Sequence, residues 1–200
     1  MNFLAHFHLA WPDEYLVVGG LEGDYFKGPL PGSLAPELQA GVRLHRAIDA
    51  YTDNHPEIVR LRKAFPPELR RYAGILIDLC FDHCLARNWA IYSALPLPDF
   101  ATRVYTHLQA HERFMSPQAQ RMAGWLIEYE ILQAYSHWDT VAGSAERIGR
   151  RLRRDNPMDR AGSLLEPMLG ELQRSFEVFY PQLQQFSRDS VMLEPGQQEA

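Results

Sequence analysis

The chain has 200 residues, enough for one domain with a core that needs no disulfide to hold it together. Its net charge of -5 argues against a general nucleic-acid binder, a class of protein that is usually basic overall. No apolar run approaches the ~20 residues of a membrane span, and the first residues lack the pattern of a signal peptide. Cys80 and Cys84 have helical spacing rather than Cys-x-x-Cys spacing. We therefore expect a cytoplasmic protein without a membrane anchor.

Apolar residues recur at three and four positions between the prolines, which is the period of an α-helix. This pattern predicts an all-α, single-domain helical bundle. The predicted helices span residues 3–10, 15–26, 36–53, 57–65, 68–92, 99–114, 117–135, 140–154 and 164–186. Ser116-Pro117 has the form of a cap followed by a first helical residue, and Pro67-Glu68 is expected to start a helix in the same way. We expect the domain to cover residues 1–188, and the polar residues 189–200 to form a disordered tail.

The first predicted helix carries His6 and His8 within an apolar sequence. Two-residue spacing places them on roughly opposite sides of a helix, so we expect one of them, His6, to face a site. A single histidine on an apolar face is more often a hydrogen-bonded core residue than a ligand, and that alternative stays open here. Asp24 follows the glycine-rich stretch 19–23, which allows close approach of the backbone.

The third predicted helix aligns His45 and Asp49 on one face, one turn apart, with Thr52 following. An imidazole and a carboxylate in this relation can bind one metal ion. The alternative is a cap or an ion pair with a nearby arginine. Asp53 precedes Asn54 and a proline, a sequence typical of a helix end, and we rank it below Asp49.

The fifth predicted helix places Asp78 and Asp82 on its apolar stripe, and His83 on the neighbouring stripe. A carboxylate on a buried surface loses hydration worth several kcal/mol unless a cation or a hydrogen-bond donor replaces the water. The two alternatives are therefore a metal site and a structural role, in which these groups satisfy buried backbone ends or pair with Arg87.

Taken together, four segments supply imidazoles and carboxylates on faces that we expect to point inward, as a one- or two-metal hydrolytic centre requires. The residues are His6, Asp24, His45, Asp49, Asp78, Asp82 and His83. An oxygen-rich site with a few nitrogens favours Mn²⁺, Mg²⁺ or Fe²⁺ over a closed zinc site. The sequence has no Walker loop, no Gly-x-Ser-x-Gly elbow and no cysteine in a nucleophile motif, so covalent catalysis is not indicated.

Several of these segments also resemble a known family. Residues 1–10 (MNFLAHFHLA), Asp24, residues 45–53 (HRAIDAYTD), residues 78–83 (DLCFDH) and, more weakly, residues 179–181 (FYP) are similar to the acyl carrier protein phosphodiesterase family. The resemblance implies a cytoplasmic hydrolase that removes the 4′-phosphopantetheine arm from holo-acyl carrier protein, with Mn²⁺ as the metal. It also implies a distant, HD-like similarity to the all-α HD-domain phosphohydrolases. Those proteins have His before Asp, whereas this chain has Asp82 before His83, so ligand roles do not transfer position by position.

On this basis we expect the metal ligands to come from Asp24, His45, Asp49, Asp82 and His83. Catalytic roles are expected for His6, as proton donor to the leaving serine oxygen, for Asp24, and for Asp78, which is expected either to bind the metal or to orient an imidazole. Lys27 and Arg46 are expected to hold phosphate oxygens, with ion pairs to nearby carboxylates as the alternative.

Acyl carrier proteins are acidic, so a net-negative enzyme is expected to concentrate positive charge near its site. We prefer a first cluster, next to the predicted ligands in sequence, made of Arg60, Arg62, Lys63, Arg70 and Arg71. A second cluster consists of Arg147, Arg150, Arg151, Arg153 and Arg154. Either cluster has the alternative of being an ordinary solvated face.

Three rival functions remain open at this stage. The first is an HD-type phosphohydrolase that acts on a nucleotide through the same metal site. The second is a non-catalytic helical interaction module, and the third is a metal-binding protein of the oxygen-carrier kind, although such carriers prefer richer histidine ligation.

Overall fold

The computed structural model describes residues 1–32, 34–152 and 154–192, and the regular structure within them is helical. Short 3-10 turns at Arg70–Tyr72, Glu112–Phe114, Pro157–Arg160 and Glu166–Met168 join some of the α-helices. The α-helices are α1 (Phe3–Ala10), α2 (Glu14–Glu22), α3 (Pro36–Asn54), α4 (Pro56–Ala64), α5 (Ala73–Arg87), α6 (Trp89–Tyr92), α7 (Leu97–Ala110), α8 (Pro117–Glu128), α9 (Ile131–Ala134), α10 (Trp138–Gly149), α11 (Ala161–Leu165) and α12 (Leu169–Met192). They surround one continuous apolar core, which confirms the all-α, single-domain prediction. The HD-like part of it stays a prediction.

Helix α5 runs through the middle of the bundle and contacts α1, α4, α10 and α12. Most of its side chains are apolar and buried, so it offers several faces to neighbouring helices rather than one stripe. Phe81 packs against two aromatic rings of α12, those of Phe176 and Phe179, with ring centroids 5.3 and 5.7 Å away. None of the helices described here combines the length and the apolar content that crossing a membrane requires.

Helices α2 and α3 approach each other closely because two glycines face each other at their contact. A Cβ atom on Gly19 would lie 2.2 Å from the carbonyl oxygen of Leu38, and one on Gly41 would lie 2.7 Å from the Cα of Gly19. This confirms the close approach expected of the glycine-rich stretch, and it brings the end of α2 against α3.

Polar side chains bind the first turns of two of these helices. Asp13 accepts hydrogen bonds from the backbone N–H groups of Tyr15 and Leu16, both at 2.9 Å, and so caps α2. Ser116 caps α8 ahead of a proline, as predicted. The fully buried carboxylate of Glu22, at the end of α2, accepts hydrogen bonds from the backbone N–H and the hydroxyl of Ser116. Glu22 thereby joins α2 to the start of α8.

The structure corrects several predicted helix boundaries. Residues 67–72 form a turn and a 3-10 segment, so the helix expected from Glu68 begins at Ala73. The segment 117–135 is interrupted because Glu130 adopts a left-handed conformation, with φ of 47°. Helix α12 continues to Met192, past the predicted end at 186, as its Ser187 donates a hydrogen bond to the carbonyl of Leu9. Residues 189–192 of the predicted tail are therefore helical, and residues 193–200 lie outside the described residues.

Candidate functional site

Helix α3 supplies two neighbouring side chains of the site, His45 and Asp49. Their four-residue spacing puts them on one face of the helix, as predicted, and His45 Nε2 lies 3.1 Å from Asp49 Oδ2. His45 is buried, whereas the Asp49 side chain is 44 % exposed. The carboxylate therefore lies where the buried imidazole meets solvent.

Helix α1 adds His6 to the same carboxylate. His6 Nε2 lies 3.2 Å from Asp49 Oδ1, and the His6 ring stacks on the His45 ring with centroids 3.9 Å apart and 12° between the planes. The potential ligand atoms of His6, His45 and Asp49 all lie within 4.8 Å of one another. We call these three residues the His–Asp cluster. Three of the predicted site residues thus come together from two helices.

Asp24 lies beside the cluster, just after the end of α2. Its Oδ1 is 3.7 Å from His45 Nε2, and partial burial raises the pKa of its carboxyl above the ordinary value. The preceding Gly23 packs directly on the His45 side chain, because a Cβ atom there would lie 2.3 Å from Cγ of the ring. The glycine-rich stretch therefore leaves room for the imidazole as well as for helix α3.

The α-ammonium of Met1 lies on the other side of Asp49, between that residue and Asp78. It is 3.4 Å from Asp49 Oδ1 and 3.1 Å from Asp78 Oδ1. Burial alone would lower the pKa of this ammonium, but the two carboxylates raise it to about 10. Asp78, a predicted catalytic residue, is thus connected to the cluster through a positive charge.

Burial and mutual contact determine the charges within the cluster. Burial, followed by the nearby His45, lowers the pKa of His6 to about 3. Burial tends to raise the pKa of Asp49, but hydrogen bonds from His45 and His6 outweigh it and hold that pKa far below its usual range. At neutral pH the cluster therefore presents the neutral His6 ring and the ionised Asp49 carboxylate, the protonation states in which these side chains bind metals.

The donor set fits a divalent cation, with two imidazole nitrogens and carboxylate oxygens facing one region in which the Met1 ammonium shows that positive charge is favoured. One feature differs from common metal sites. The Nδ1 atoms of His6 and His45 are buried and have no hydrogen-bond partner among the described residues. Ligand histidines usually donate this second nitrogen to a carbonyl or a carboxylate. Here ring stacking and Asp49 orient the imidazoles instead.

The structure does not bring Asp82 and His83, two predicted ligands, into the cluster. The Asp82 carboxylate is fully buried and accepts hydrogen bonds from the backbone N–H groups of Leu4 and Ala5, at 2.8 and 3.1 Å. It thus caps α1 from a different helix, the structural alternative considered above. His83 Nδ1 lies 2.7 Å from the carbonyl oxygen of Tyr135 and its ring packs on Trp138.

The two predicted phosphate-binding residues, Lys27 and Arg46, differ in their surroundings. Lys27 is exposed, and its charge lowers the pKa of Asp24 against the effect of burial. The guanidinium of Arg46 donates a hydrogen bond to the carbonyl of Phe26 at 2.9 Å, and so supports the loop that follows Asp24. His8 is turned away, as its spacing from His6 predicts, and Nδ1 of its ring lies 2.7 Å from the hydroxyl of Tyr180.

Three of the five basic residues in the predicted docking cluster form ion pairs or hydrogen bonds with other residues of the chain. Arg60 forms ion pairs with Glu57 and Glu171, and Arg62 with Asp53. Arg70 lies 3.4 Å from the carbonyl of Phe65, while Lys63 and Arg71 are exposed. In the second cluster, Arg150 pairs with Glu146, and Arg153 lies outside the described residues. Its members Arg147 and Arg151 line a cleft next to Asp24.

Several features of this region could not be read from the sequence. The position of the Met1 ammonium and the capping of α1 by Asp82 are tertiary contacts between distant residues, and no local pattern marks them. Asn2 donates a hydrogen bond to the hydroxyl of Tyr135. Cys80 and Cys84 are free and buried, and burial raises the pKa of Cys84 to about 12.

The part of the chain that matches known proteins includes all the residues of this site. The family described as Acyl carrier protein phosphodiesterase matches residues 1–183. A protein of that name from Serratia proteamaculans (strain 568) is 33% identical over 195 residues, which are 96% of this chain and 100% of the relative. Proteins of the same name from Yersinia enterocolitica and Escherichia coli O6:H1 are 31% and 33% identical, covering 94% and 96% of this chain and 98% and 100% of their own lengths. No solved structure matches the chain.

Proposed function

The chain belongs to the acyl carrier protein phosphodiesterase family, and we propose that it hydrolyses the phosphodiester that links 4′-phosphopantetheine to the serine of holo-acyl carrier protein. The products are apo-acyl carrier protein and 4′-phosphopantetheine. The observation that supports this proposal is the convergence of His6, His45 and Asp49 at the surface of the helical core. A phosphodiester carries a negative charge and needs a strong nucleophile, so its hydrolysis requires the kind of cation site that these side chains can form.

We propose Mn²⁺ as the cofactor, with Mg²⁺ or Fe²⁺ as alternatives, held by His6, His45 and Asp49 together with Asp24. When bound, such an ion supplies an activated water at neutral pH and compensates charge on the phosphate oxygens. The chemistry of the donor set supports this proposal, since nitrogen and carboxylate ligands with open positions suit a hydrolytic divalent metal.

The side chains of the protein have separate tasks in this scheme. Asp49 Oδ1 and Oδ2 lie next to Nε2 of His6 and His45, so the carboxylate and the two ring nitrogens would share one bound ion. Gly23 keeps the His45 ring in place, and Arg46 supports the loop that carries Lys27, which reaches phosphate oxygens from the exposed side. The sequence predicts His6 as the proton donor to the leaving serine oxygen. Because the proposed site uses the neutral His6 ring as a metal ligand, we assign this proton instead to Asp78, whose carboxyl has a pKa raised by burial. We place the reaction in the cytoplasm, where buried free thiols such as Cys80 persist.

The experiment is incubation of the purified chain with holo-acyl carrier protein and Mn²⁺, with and without a chelator. The mass of the carrier protein is followed over time. The expected result is loss of the phosphopantetheine mass with metal, and no loss with chelator. An unchanged carrier mass, with folded and metal-loaded protein, would refute this substrate and favour a nucleotide phosphoester or a non-catalytic role.

A further inference from the structure

A cleft of about 550 Å³ opens beside the His–Asp cluster, between helices α8 and α10. We call it the α8–α10 cleft. Helix α8 contributes Arg121 and Trp125 to its lining, and helix α10 contributes Ser144 and Arg147. Its volume lies within the range of pockets that hold small organic ligands.

The cleft is continuous with the proposed chemistry through Asp24. This residue lines the cleft and also has its Oδ1 at 3.7 Å from His45 Nε2. A ligand in the cleft can therefore place one end at the cluster and extend along α8 and α10. The contiguity identifies the cleft as part of the same site rather than as a separate pocket.

Arginine side chains give the cleft a positive lining. Arg121, Arg147 and Arg151 form no ion pair with any residue that the structure describes, unlike Arg150, which pairs with Glu146. Arg121 and Arg151 line the same cleft as Asp24 and Tyr25. Uncompensated guanidinium groups next to a cluster of this kind are suited to an anionic ligand such as a phosphate.

The wall of the cleft also contains a buried polar atom without a partner. The Oγ of Ser144 makes no hydrogen bond within the described residues, although only 6% of this residue is exposed. A buried hydroxyl in this position is stabilised by a ligand that supplies a donor or an acceptor. The guanidinium of Arg147 lies 4.4 Å from the ring centroid of Trp125, and both residues line the cleft.

We propose that the α8–α10 cleft binds the 4′-phosphopantetheine arm, with the phosphate held by Arg121 and Arg151 next to Asp24 and an amide of the arm hydrogen-bonded to Ser144. The inference rests on the proposed function and names the residues that recognise the arm. The arm combines a phosphate, two amides and an apolar dimethyl group, and the cleft offers guanidinium groups, a free hydroxyl and apolar side chains such as Trp125 in one continuous lining.

The test is calorimetric titration of the Mn²⁺-containing protein with two probes, free 4′-phosphopantetheine and pantetheine, which lacks the phosphate. Arg121→Gln and Arg151→Gln should each weaken binding of 4′-phosphopantetheine about tenfold and leave binding of pantetheine unchanged. Ser144→Ala should weaken binding of both probes. Arg150→Gln is the matched control, on the same basic segment but paired with Glu146, and should change neither affinity.

The outcomes separate this inference from the proposed function. Equal affinities of wild type, Arg121→Gln and Arg151→Gln for 4′-phosphopantetheine would overturn the inference even if the wild type hydrolyses holo-acyl carrier protein. If these variants raised the KM for the carrier protein alone, the arginines would belong to protein docking and the inference would again be wrong. Arginine-dependent binding of the free arm without hydrolysis would support the cleft assignment and refute the proposed reaction.

Discussion

The imidazole rings of His6 and His45 stack face to face 3.9 Å apart, although one ring belongs to α1 and the other to α3. Each ring directs its Nε2 to a different oxygen of Asp49. Two histidines in such contact cannot both be positively charged at modest cost, because like charges at this distance repel strongly in a buried setting. The stacked pair and the single carboxylate therefore form one unit, and a change in Asp49 affects both rings.

Asp49→Asn should abolish Mn²⁺ binding and reduce hydrolysis of holo-acyl carrier protein by about 100-fold or more, because it removes the negative charge that a cation requires. The amide has nearly the same shape as the carboxylate, so the fold should be retained. Calorimetry with Mn²⁺ and the carrier-protein mass assay measure the two effects.

The matched control for this change is Asp53→Asn on the same helix, one turn later. Asp53 is 64% exposed and pairs with Arg62 rather than with the cluster. We expect near wild-type activity from this variant. Equal loss of activity in both variants would show that charge along α3, rather than the position of Asp49, determines the result.

Gly23→Ala should impair the site by displacing the His45 ring, because the added methyl group would overlap its Cγ, Cδ2 and Cβ atoms. The backbone of Gly23 is right-handed helical, so steric overlap rather than backbone strain is the cause. We expect at least about tenfold weaker Mn²⁺ binding and an overpacking cost of about 1–3 kcal/mol in the free energy of unfolding.

Gly20→Ala, in the helix that ends just before Gly23, provides the comparison. Apart from its chain neighbours and the backbone of its own helix, no atom of the described residues lies within 4 Å of a Cβ placed there, and alanine is the better helix former. This variant should be active and more stable by about 0.5–1 kcal/mol. Wild-type metal binding by Gly23→Ala would mean that the His45 ring can move without consequence.

Asp82→Ala should lower the free energy of unfolding by about 2–4 kcal/mol, because it leaves the N–H groups of Leu4 and Ala5 buried without acceptors. Asp82→Asn keeps one acceptor oxygen and should cost less. Urea unfolding measures both values. If Asp82 were a metal ligand instead, adding Mn²⁺ would stabilise the wild type and not the Asp82→Asn variant, whereas a capping role predicts the same metal-induced stabilisation in both.

The stability supplied by Asp82 should also depend on pH in a defined direction. Burial raises the pKa of its carboxyl to about 7, from 3.8 in the reference state. The folded chain therefore holds this proton more tightly than the unfolded chain, and the free energy of unfolding falls as pH rises from about 4 to 7. Asp82→Asn should remove this fall. Parallel pH profiles of the two proteins in urea unfolding would contradict the prediction.

Local periodicity was sufficient to predict the fold class and part of the site. The pairing of His45 with Asp49 follows from four-residue spacing on α3. The placement of His6 and His8 on opposite sides of α1 follows from their two-residue spacing, which does not by itself choose between them. Asp24 was found through its glycine-rich neighbourhood. Each of these predictions needs information from one helix or one turn, which a sequence contains directly.

The remaining features depend on contacts between distant elements. The buried position of Asp82 was predicted correctly, but its partners belong to α1, and periodicity cannot distinguish a backbone donor from a metal ion. The preference for the basic cluster around Arg60 rested on proximity in sequence. In the folded chain glutamates neutralise Arg60, whereas Arg151 reaches the site from a distant segment. Helix ends set by tertiary packing, such as the start of α5 at Ala73, were likewise missed.

The buried carboxylate of Glu22 fixes the distance between two parts of the site. It binds Ser116 at the start of α8, and it lies in the same short stretch of chain as Gly23 and Asp24. These hydrogen bonds fix the position of α8, the helix that carries Arg121 and Trp125, relative to Gly23, which packs on His45. Under the proposed binding mode, the distance from the His–Asp cluster to the far end of the α8–α10 cleft is therefore set by the scaffold, and only an arm of matching length would place its phosphate at the cluster.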